Sequence, residues 1–133
     1  YILNAGSEQF IQDCVHKLQQ DHAASLLIFP EGTRTAKGEQ LNDFQRGAAN
    51  IALRAGVPIR PVLISCTPST LTKNEKWYHI PEQPFHIHVK VLDAIQVEDV
   101  LDDVTVNPKN VRQLNQQLQW FFNQELSLND ESC

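Results

Sequence analysis

The sequence predicts an α/β fold in which helices flank a mainly parallel sheet. Two apolar runs, residues 25–30 and 59–65, have the length and composition of buried strands, and a helical segment, residues 46–55, separates them. Helical patterns also precede the first run and close the chain. A chain of 133 residues is long enough to bury one core, so we expect a single domain over residues 1–133.

The first helix is predicted to follow Ser7, a suitable N-cap, and to end near residues 21–24. The strand over 25–30 comes next, followed by a polar loop over residues 31–43. Asn42 or Asp43 is expected to cap the helix over 46–55, and Gly56 is expected to end it in the manner of a C′ glycine.

The second half begins with the strand over 59–65. Residues 86–92 alternate between apolar and polar side chains, which is typical of a half-exposed strand. Asn107 is the predicted cap of a final helix, with Pro108 at its first position. The polar tail, residues 127–133, is expected to fray.

Composition limits the function classes. The net charge is -5 and the pI is about 5.4, which argues against nucleic-acid binding and against simple electrostatic adhesion to anionic lipid. No stretch approaches the roughly 20 apolar residues that a bilayer crossing needs. The three cysteines are widely spaced, which fits free thiols in a reducing compartment. Because the chain starts at Tyr1, we interpret it as a fragment of a longer protein.

The most informative residues are Phe29-Pro30-Glu31-Gly32-Thr33-Arg34, which follow the first predicted strand. Arg34 is the leading candidate for binding a phosphate, because a guanidinium forms two parallel hydrogen bonds with it. Gly32 allows close backbone approach to an anion and also fits a turn with Pro30 at its second position. Glu31 either contacts polyol hydroxyls, holds Arg34, or closes the loop. Thr33 either donates to phosphate or closes the turn.

Further polar residues are weaker candidates. Arg46, at the start of a helix, and Arg60 are secondary phosphate ligands, with a solvated surface as the alternative for each. His86 and His88 share one strand face, but no third ligand at useful spacing accompanies them, so a solvent-facing pair is expected.

Three ordered blocks resemble the glycerolipid acyltransferase superfamily, of the 1-acyl-glycerol-3-phosphate acyltransferase type. They are Phe29–Arg34, Phe44-Gln-Arg-Gly-Ala-Ala49 and Val57-Pro-Ile-Arg-Pro-Val62. The family commonly has lysine where this chain has Gln45, which is a departure from its pattern. The resemblance implies a truncated acyltransferase domain that lacks its N-terminal catalytic portion.

The resemblance also implies an activity. The family transfers an acyl group from acyl-CoA or acyl carrier protein to 1-acyl-glycerol-3-phosphate or a related acceptor, and no cofactor is implied. Its base is the histidine of a His-x4-Asp motif, implied to lie before Tyr1. The substrate-binding residues carried over are Glu31, Gly32, Thr33, Arg34 and Arg46, and no catalytic residue is assigned.

His16 and Asp21 also spell His-x4-Asp, but they lie within the first helical pattern. We expect the spelling to be coincidental and the isolated chain to be inactive. The whole protein is expected at the cytoplasmic face of a membrane, which it would reach through segments outside this chain, whereas the fragment itself is expected to be soluble and to self-associate through exposed apolar surface. The alternatives are a catalytically inactive phosphate-ligand binding module and an unrelated phosphate-binding α/β enzyme.

Overall fold

The computed structural model describes residues 8–33, 41–67, 76, 78 and 82–131. These residues form, in chain order, α1 (Glu8–Gln20), α2 (Gly47–Ala55), β1 (Val62–Thr67), β2 (His86–Val91), α3 (Val97–Val100) and α4 (Pro108–Glu131). The mixture of helices and strands agrees with the predicted α/β class.

The sheet differs from the prediction. β1 and β2 are antiparallel, with Val62 opposite Val91 and Thr67 opposite His86, and the described residues contain no other named strand. The mainly parallel sheet is therefore not confirmed. The strand predicted over 59–65 begins only at Val62, and Ile59 instead forms an isolated bridge with Ile95. The strand predicted over 86–92 is confirmed to within one residue.

The strand predicted over residues 25–30 is wrong. Residues 24–29 have no regular secondary structure, and the side chains of Leu27 and Phe29 are 77% and 67% exposed. A strand requires a neighbouring backbone to satisfy its N–H and C=O groups, and none of the described strands lies alongside this segment. An apolar run makes a segment suitable for a buried strand, but the run does not determine whether another strand lies beside it.

The hydrophobic core lies mainly between α2 and α4. Ala49 and Leu114 are completely buried, and the rings of Phe44 and Phe122 meet edge to face at a centroid distance of 5.2 Å. α2 packs against α1 and α4. The buried members of this core are Phe44, Ala49, Ala52, Leu53, Val97, Leu101, Val111, Leu114 and Leu118.

The helix ends test the predicted caps. Gly56 has φ 65° and donates its N–H to Ala52 O, so its role is confirmed. The N-cap of α2 is Arg46, without a side-chain hydrogen bond, rather than Asn42 or Asp43. Asn107 is confirmed as a cap, because its Oδ1 accepts the N–H of Asn110 at 2.8 Å.

α1 and α4 are the first and last elements of the described residues. α1 begins at Glu8, and Ser7 lies outside the described residues. α4 continues to Glu131, so residues 127–131 are helical rather than frayed. Among the described residues, none of the helices combines the length and apolar composition that crossing a membrane requires.

The two faces of the β1–β2 pair differ in chemistry. On one face Leu63 is 4% exposed, and Lys90 Nζ lies 3.6 Å from Glu125 Oε2 of α4. The opposite face carries only apolar or thiol side chains, and Ile64 there is 56% exposed. We name this surface the apolar sheet face: Val62, Ile64, Cys66, Ile87, Val89 and Val91.

Candidate phosphate-binding site

The described part of the sequence motif, residues 29–33, forms a tight turn that we name the motif loop. Phe29 O accepts the N–H of Gly32 at 3.1 Å, with Pro30 second and Gly32 last, so the predicted turn is confirmed. Gly32 has φ +69°, in the left-handed region that favours glycine. Gly32 and Thr33 are exposed, so the far side of the turn is open to solvent.

Glu31 contacts the segment that enters α2. Its side chain is half-buried, and its Oε2 accepts the backbone N–H of Asn42 at 2.8 Å. The loop-closing role, one of those predicted for Glu31, is therefore supported by a contact. Its contact with a polyol hydroxyl stays a prediction.

The motif loop packs against the start of α2. Pro30 O accepts the N–H of Gln45 at 2.7 Å, and a Cβ on Gly32 would lie 3.4 Å from Gln45 Cγ. Arg46, the next residue, is the N-cap of α2. The first two sequence blocks of the motif, 14 residues apart between Pro30 and Phe44, therefore meet in space.

The start of α2 carries a cationic side chain. The side chain of Arg46 is exposed and makes no hydrogen bond or ion pair within the described residues, and the first turn of α2 contains no acidic residue. The first N–H groups of a helix have no intrahelical acceptor and carry a partial positive charge. A cationic side chain at this helix end, beside an exposed glycine turn, favours an anionic ligand such as a phosphate.

The other two arginine predictions have different outcomes. Arg34 lies outside the described residues, so its phosphate contact stays a prediction. Arg60 donates from Nη1 to Leu92 O at 3.1 Å, just beyond the end of β2. This contact supports the alternative for Arg60, in which it is a surface residue that holds local structure.

His16 and Asp21 do not form a catalytic pair in the structure. His16 is exposed on α1, while Asp21 Oδ1 accepts the N–H of Ala23 at 3.0 Å and Oδ2 lies 4.0 Å from Lys17 Nζ. No hydrogen bond joins His16 to Asp21 in the described part of the chain. The contact through which an aspartate orients a catalytic imidazole is therefore missing here.

His86 and His88 are exposed on β2, opposite Thr67 and Ser65 of β1. Across the described ranges, no group of three or more His, Cys, Asp or Glu side chains is placed to hold a metal ion. The pair therefore has no third ligand among these residues.

Two residues of α4 that were not predicted from the sequence contact the segment entering α2. Gln119 Oε1 accepts the N–H of Phe44 at 2.6 Å, and Gln119 Nε2 donates to Asn42 O at 3.3 Å. Asn115 Nδ2 donates to Phe44 O at 3.0 Å. The only available signal was an amide pair spaced i, i+4 beside the apolar stripe of α4, which is equally typical of a solvated helix surface.

Comparison with known proteins gives a family for the region that contains this site. Residues 4–65 match the family model described as Acyltransferase. The chain is 36% identical over 86 residues to the 1-acyl-sn-glycerol-3-phosphate acyltransferase alpha of Mus musculus, an alignment of 64% of this chain and 29% of the relative. It is 46% identical over 50 residues to the 1-acyl-sn-glycerol-3-phosphate acyltransferase of Escherichia coli strain K12, covering 38% of this chain and 20% of the relative.

A third relative, the 1-acyl-sn-glycerol-3-phosphate acyltransferase of Cocos nucifera, is 37% identical over 75 residues, covering 56% of this chain and 23% of the relative. The chain therefore spans less than a third of the length of these relatives. No solved structure gives a significant match. The resemblance inferred from the three sequence blocks is confirmed.

Proposed function

We propose, because residues 4–65 of this chain belong to the glycerolipid acyltransferase superfamily, that it is the acceptor-binding part of an acyltransferase of phospholipid biosynthesis. The whole protein transfers an acyl group from acyl-CoA or acyl carrier protein to 1-acyl-glycerol-3-phosphate or a related acceptor. The observation that carries this proposal is the packing of the motif loop on the cationic start of α2, through Pro30 and Gln45.

In the proposed reaction, the acceptor hydroxyl attacks the thioester carbonyl carbon. The new C–O bond forms as the C–S bond breaks, a base takes the hydroxyl proton, and the thiol leaves protonated. Arg34 and Arg46 bind the acceptor phosphate, and the hydroxyl of Thr33 donates to it. Gly32 leaves this side of the turn without a side chain. Glu31 holds the loop closed and contacts the glycerol hydroxyls or Arg34.

A second candidate is a phosphate-ligand binding module without catalysis. The missing contact between His16 and Asp21 agrees with this candidate as it does with the first, because the described residues then offer no histidine that an aspartate orients. Under both candidates the isolated 133-residue chain does not turn over substrate. Turnover by this chain that is lost in His16→Ala would contradict both.

The full-length protein is assayed with acyl-CoA or acyl carrier protein as donor and lysophosphatidate as acceptor. Arg46→Ala is expected to raise the KM for the acceptor by about tenfold, since a charge-assisted hydrogen bond is lost. Arg112→Ala is the matched control, because Arg112 is exposed on α4 and makes no ion pair within the described residues.

Arg34→Lys separates bidentate from purely electrostatic binding. Lysine keeps the charge but not the planar fork, so the KM for lysophosphatidate is expected to rise while activity persists. If the wild-type full-length protein transfers no acyl group to any glycerol phosphate or lysolipid, the acyltransferase proposal is wrong. Binding of glycerol phosphate without transfer would then support the non-catalytic module.

A further inference from the structure

We propose that Gln119 of α4 is a positioning residue that holds the motif loop in the conformation that binds the acceptor. The inference rests on the proposed function, because it names a residue that acts on the same site through the backbone. The distinguishing observation is that a helix beyond the matched residues 4–65 forms hydrogen bonds to the backbone that enters the site.

The backbone segment Asn42–Gln45 is hydrogen-bonded both by α4 and by the motif loop. From α4, Gln119 accepts the N–H of Phe44 and donates to Asn42 O, and Asn115 donates to Phe44 O. This paired contact with alternating N–H and C=O groups resembles the one that a neighbouring strand would make. An amide side chain is suited to it, because one group carries both a donor and an acceptor.

The same segment also contacts the motif loop. Glu31 accepts the N–H of Asn42 at 2.8 Å, and Pro30 accepts the N–H of Gln45 at 2.7 Å. The position of the segment therefore sets where Glu31 and Gly32 lie relative to Arg46. Gln119 fixes this position through Phe44 N–H and Asn42 O, two backbone groups that the motif loop does not bind.

Packed side chains flank the hydrogen bonds of Gln119. Leu118, the preceding residue, is 5% exposed in the core, and the ring of Phe44 packs edge to face on Phe122. The side chains on either side of the hydrogen bonds are thus anchored by packing. Loss of the amide is expected to loosen the segment while leaving α4 and the core in place.

The test uses the full-length protein with Gln119→Met, which keeps the length of the side chain but removes both hydrogen bonds. The KM for lysophosphatidate is expected to rise about tenfold, with the KM for the acyl donor unchanged within about twofold. Backbone hydrogen exchange in the peptide that covers residues 41–46 is expected to accelerate by about tenfold. Gln116→Met, one turn away on the exposed face of α4, is the matched control.

Gln119→Glu is a milder second variant, and it keeps the inference testable if Gln119→Met does not fold. A carboxylate still accepts the N–H of Phe44 but cannot donate to Asn42 O, so an intermediate KM for the acceptor is expected. A purely structural role would reduce the active fraction, which lowers kcat and leaves both KM values unchanged. That result, or unchanged exchange in residues 41–46, overturns the inference.

Failure of the proposed function can be distinguished from failure of the inference about Gln119. If the wild-type full-length protein transfers no acyl group, the acyltransferase proposal is wrong, and backbone hydrogen exchange alone then tests whether Gln119 positions the motif loop. Faster exchange that reaches both residues 41–46 and the motif loop in Gln119→Met supports positioning. Faster exchange that stops at residues 41–46 overturns it.

Discussion

Glu31 and Gln119 both form hydrogen bonds to one short backbone segment, but only Glu31 was identifiable from the sequence. Glu31 belongs to a recognisable run of residues, and its contact with Asn42 spans 11 residues of sequence. Gln119 lies 75 residues beyond Phe44, and its contact depends on how α4 packs. Local chemistry is readable from the sequence, whereas a side chain that bonds a distant backbone depends on tertiary structure.

Gly56 and Arg46 show the same contrast at the two ends of α2. The C′ glycine was predictable because its left-handed conformation is a property of the backbone itself. The N-cap was not, because Arg46 forms no capping hydrogen bond with its side chain, and the preceding residue, Gln45, donates its N–H to Pro30 O. A capping prediction depends on side-chain types that are close in sequence, whereas this hydrogen bond joins the helix start to another segment.

Gly56→Ala is predicted to destabilise the protein by about 1 kcal/mol through backbone strain alone. The residue has φ 65°, and a Cβ at this position meets no atom within 4 Å, so no steric clash adds to the cost. Gly56→Asn is expected to cost less, because asparagine tolerates the left-handed region better. Urea unfolding measures both, and equal stability of the alanine variant and the wild type would contradict the prediction.

At the scale of elements, α1 and α2 are joined across their surfaces by a paired contact. Glu8 of α1 forms an ion pair with Arg54 of α2, and Gln19 Nε2 donates to Arg54 O at 3.3 Å. The hydrogen bond from Arg54, followed by one from Gln12, lowers the pKa of Glu8 below its ordinary value of 4.5. The ionised carboxylate therefore contributes to stability.

Glu8→Gln is predicted to destabilise the protein at neutral pH but not in acid. Because the folded pKa of Glu8 lies below its unfolded value, the contribution is present above pH 4.5 and is lost as the pH falls through the folded pKa. Unfolding free energies of the wild type and the variant are expected to converge below pH 4.5. Asp13→Asn, which removes a charge from α1 away from any ion pair in the described residues, is the control. A difference independent of pH would refute the ion-pair explanation.

The alternation of side chains along β1 predicts that truncating Leu63 destabilises the protein more than truncating its neighbour Ile64. Leu63 is 4% exposed and faces the core, so Leu63→Ala is expected to cost about 2–4 kcal/mol. Ile64 is 56% exposed on the apolar sheet face, so Ile64→Ala is expected to cost less than about 1 kcal/mol. Chemical denaturation of the two variants checks the register, and a reversed order would show that the strand faces the other way.

For the whole molecule, the sequence predicted the helices better than the sheet. α1, α2 and α4 follow from helical periodicity, and Gly56 and Asn107 mark two of their ends, all of which are local properties. The sheet depends on which strands meet, and the apolar runs 25–30 and 59–65 do not contain that information. The sequence predicted two parts of the candidate site, the motif loop and the start of α2. It did not predict the hydrogen bonds that α4 makes to the segment between them.

The apolar sheet face predicts how the isolated chain behaves. Its side chains are largely exposed on one side of a two-stranded sheet, so self-association is expected at high protein concentration. Val89→Lys is expected to increase the monomer fraction in sedimentation velocity experiments. Ser65→Lys adds the same charge to the opposite face and is the control. Equal effects of the two variants would show that net charge, rather than this face, governs association.

The same face carries a built-in chemical reporter. Cys66 lies on it opposite Ile87, whereas Cys14 lies on α1, where burial and then the neighbouring Asp13 charge raise the pKa of the thiol. A thiol attacks an alkylating reagent as the thiolate, so the raised pKa slows the alkylation of Cys14. The rate at which a maleimide labels Cys66, followed by peptide mass spectrometry so that it is separated from Cys14 and Cys133, therefore reports whether other protein surface covers the sheet.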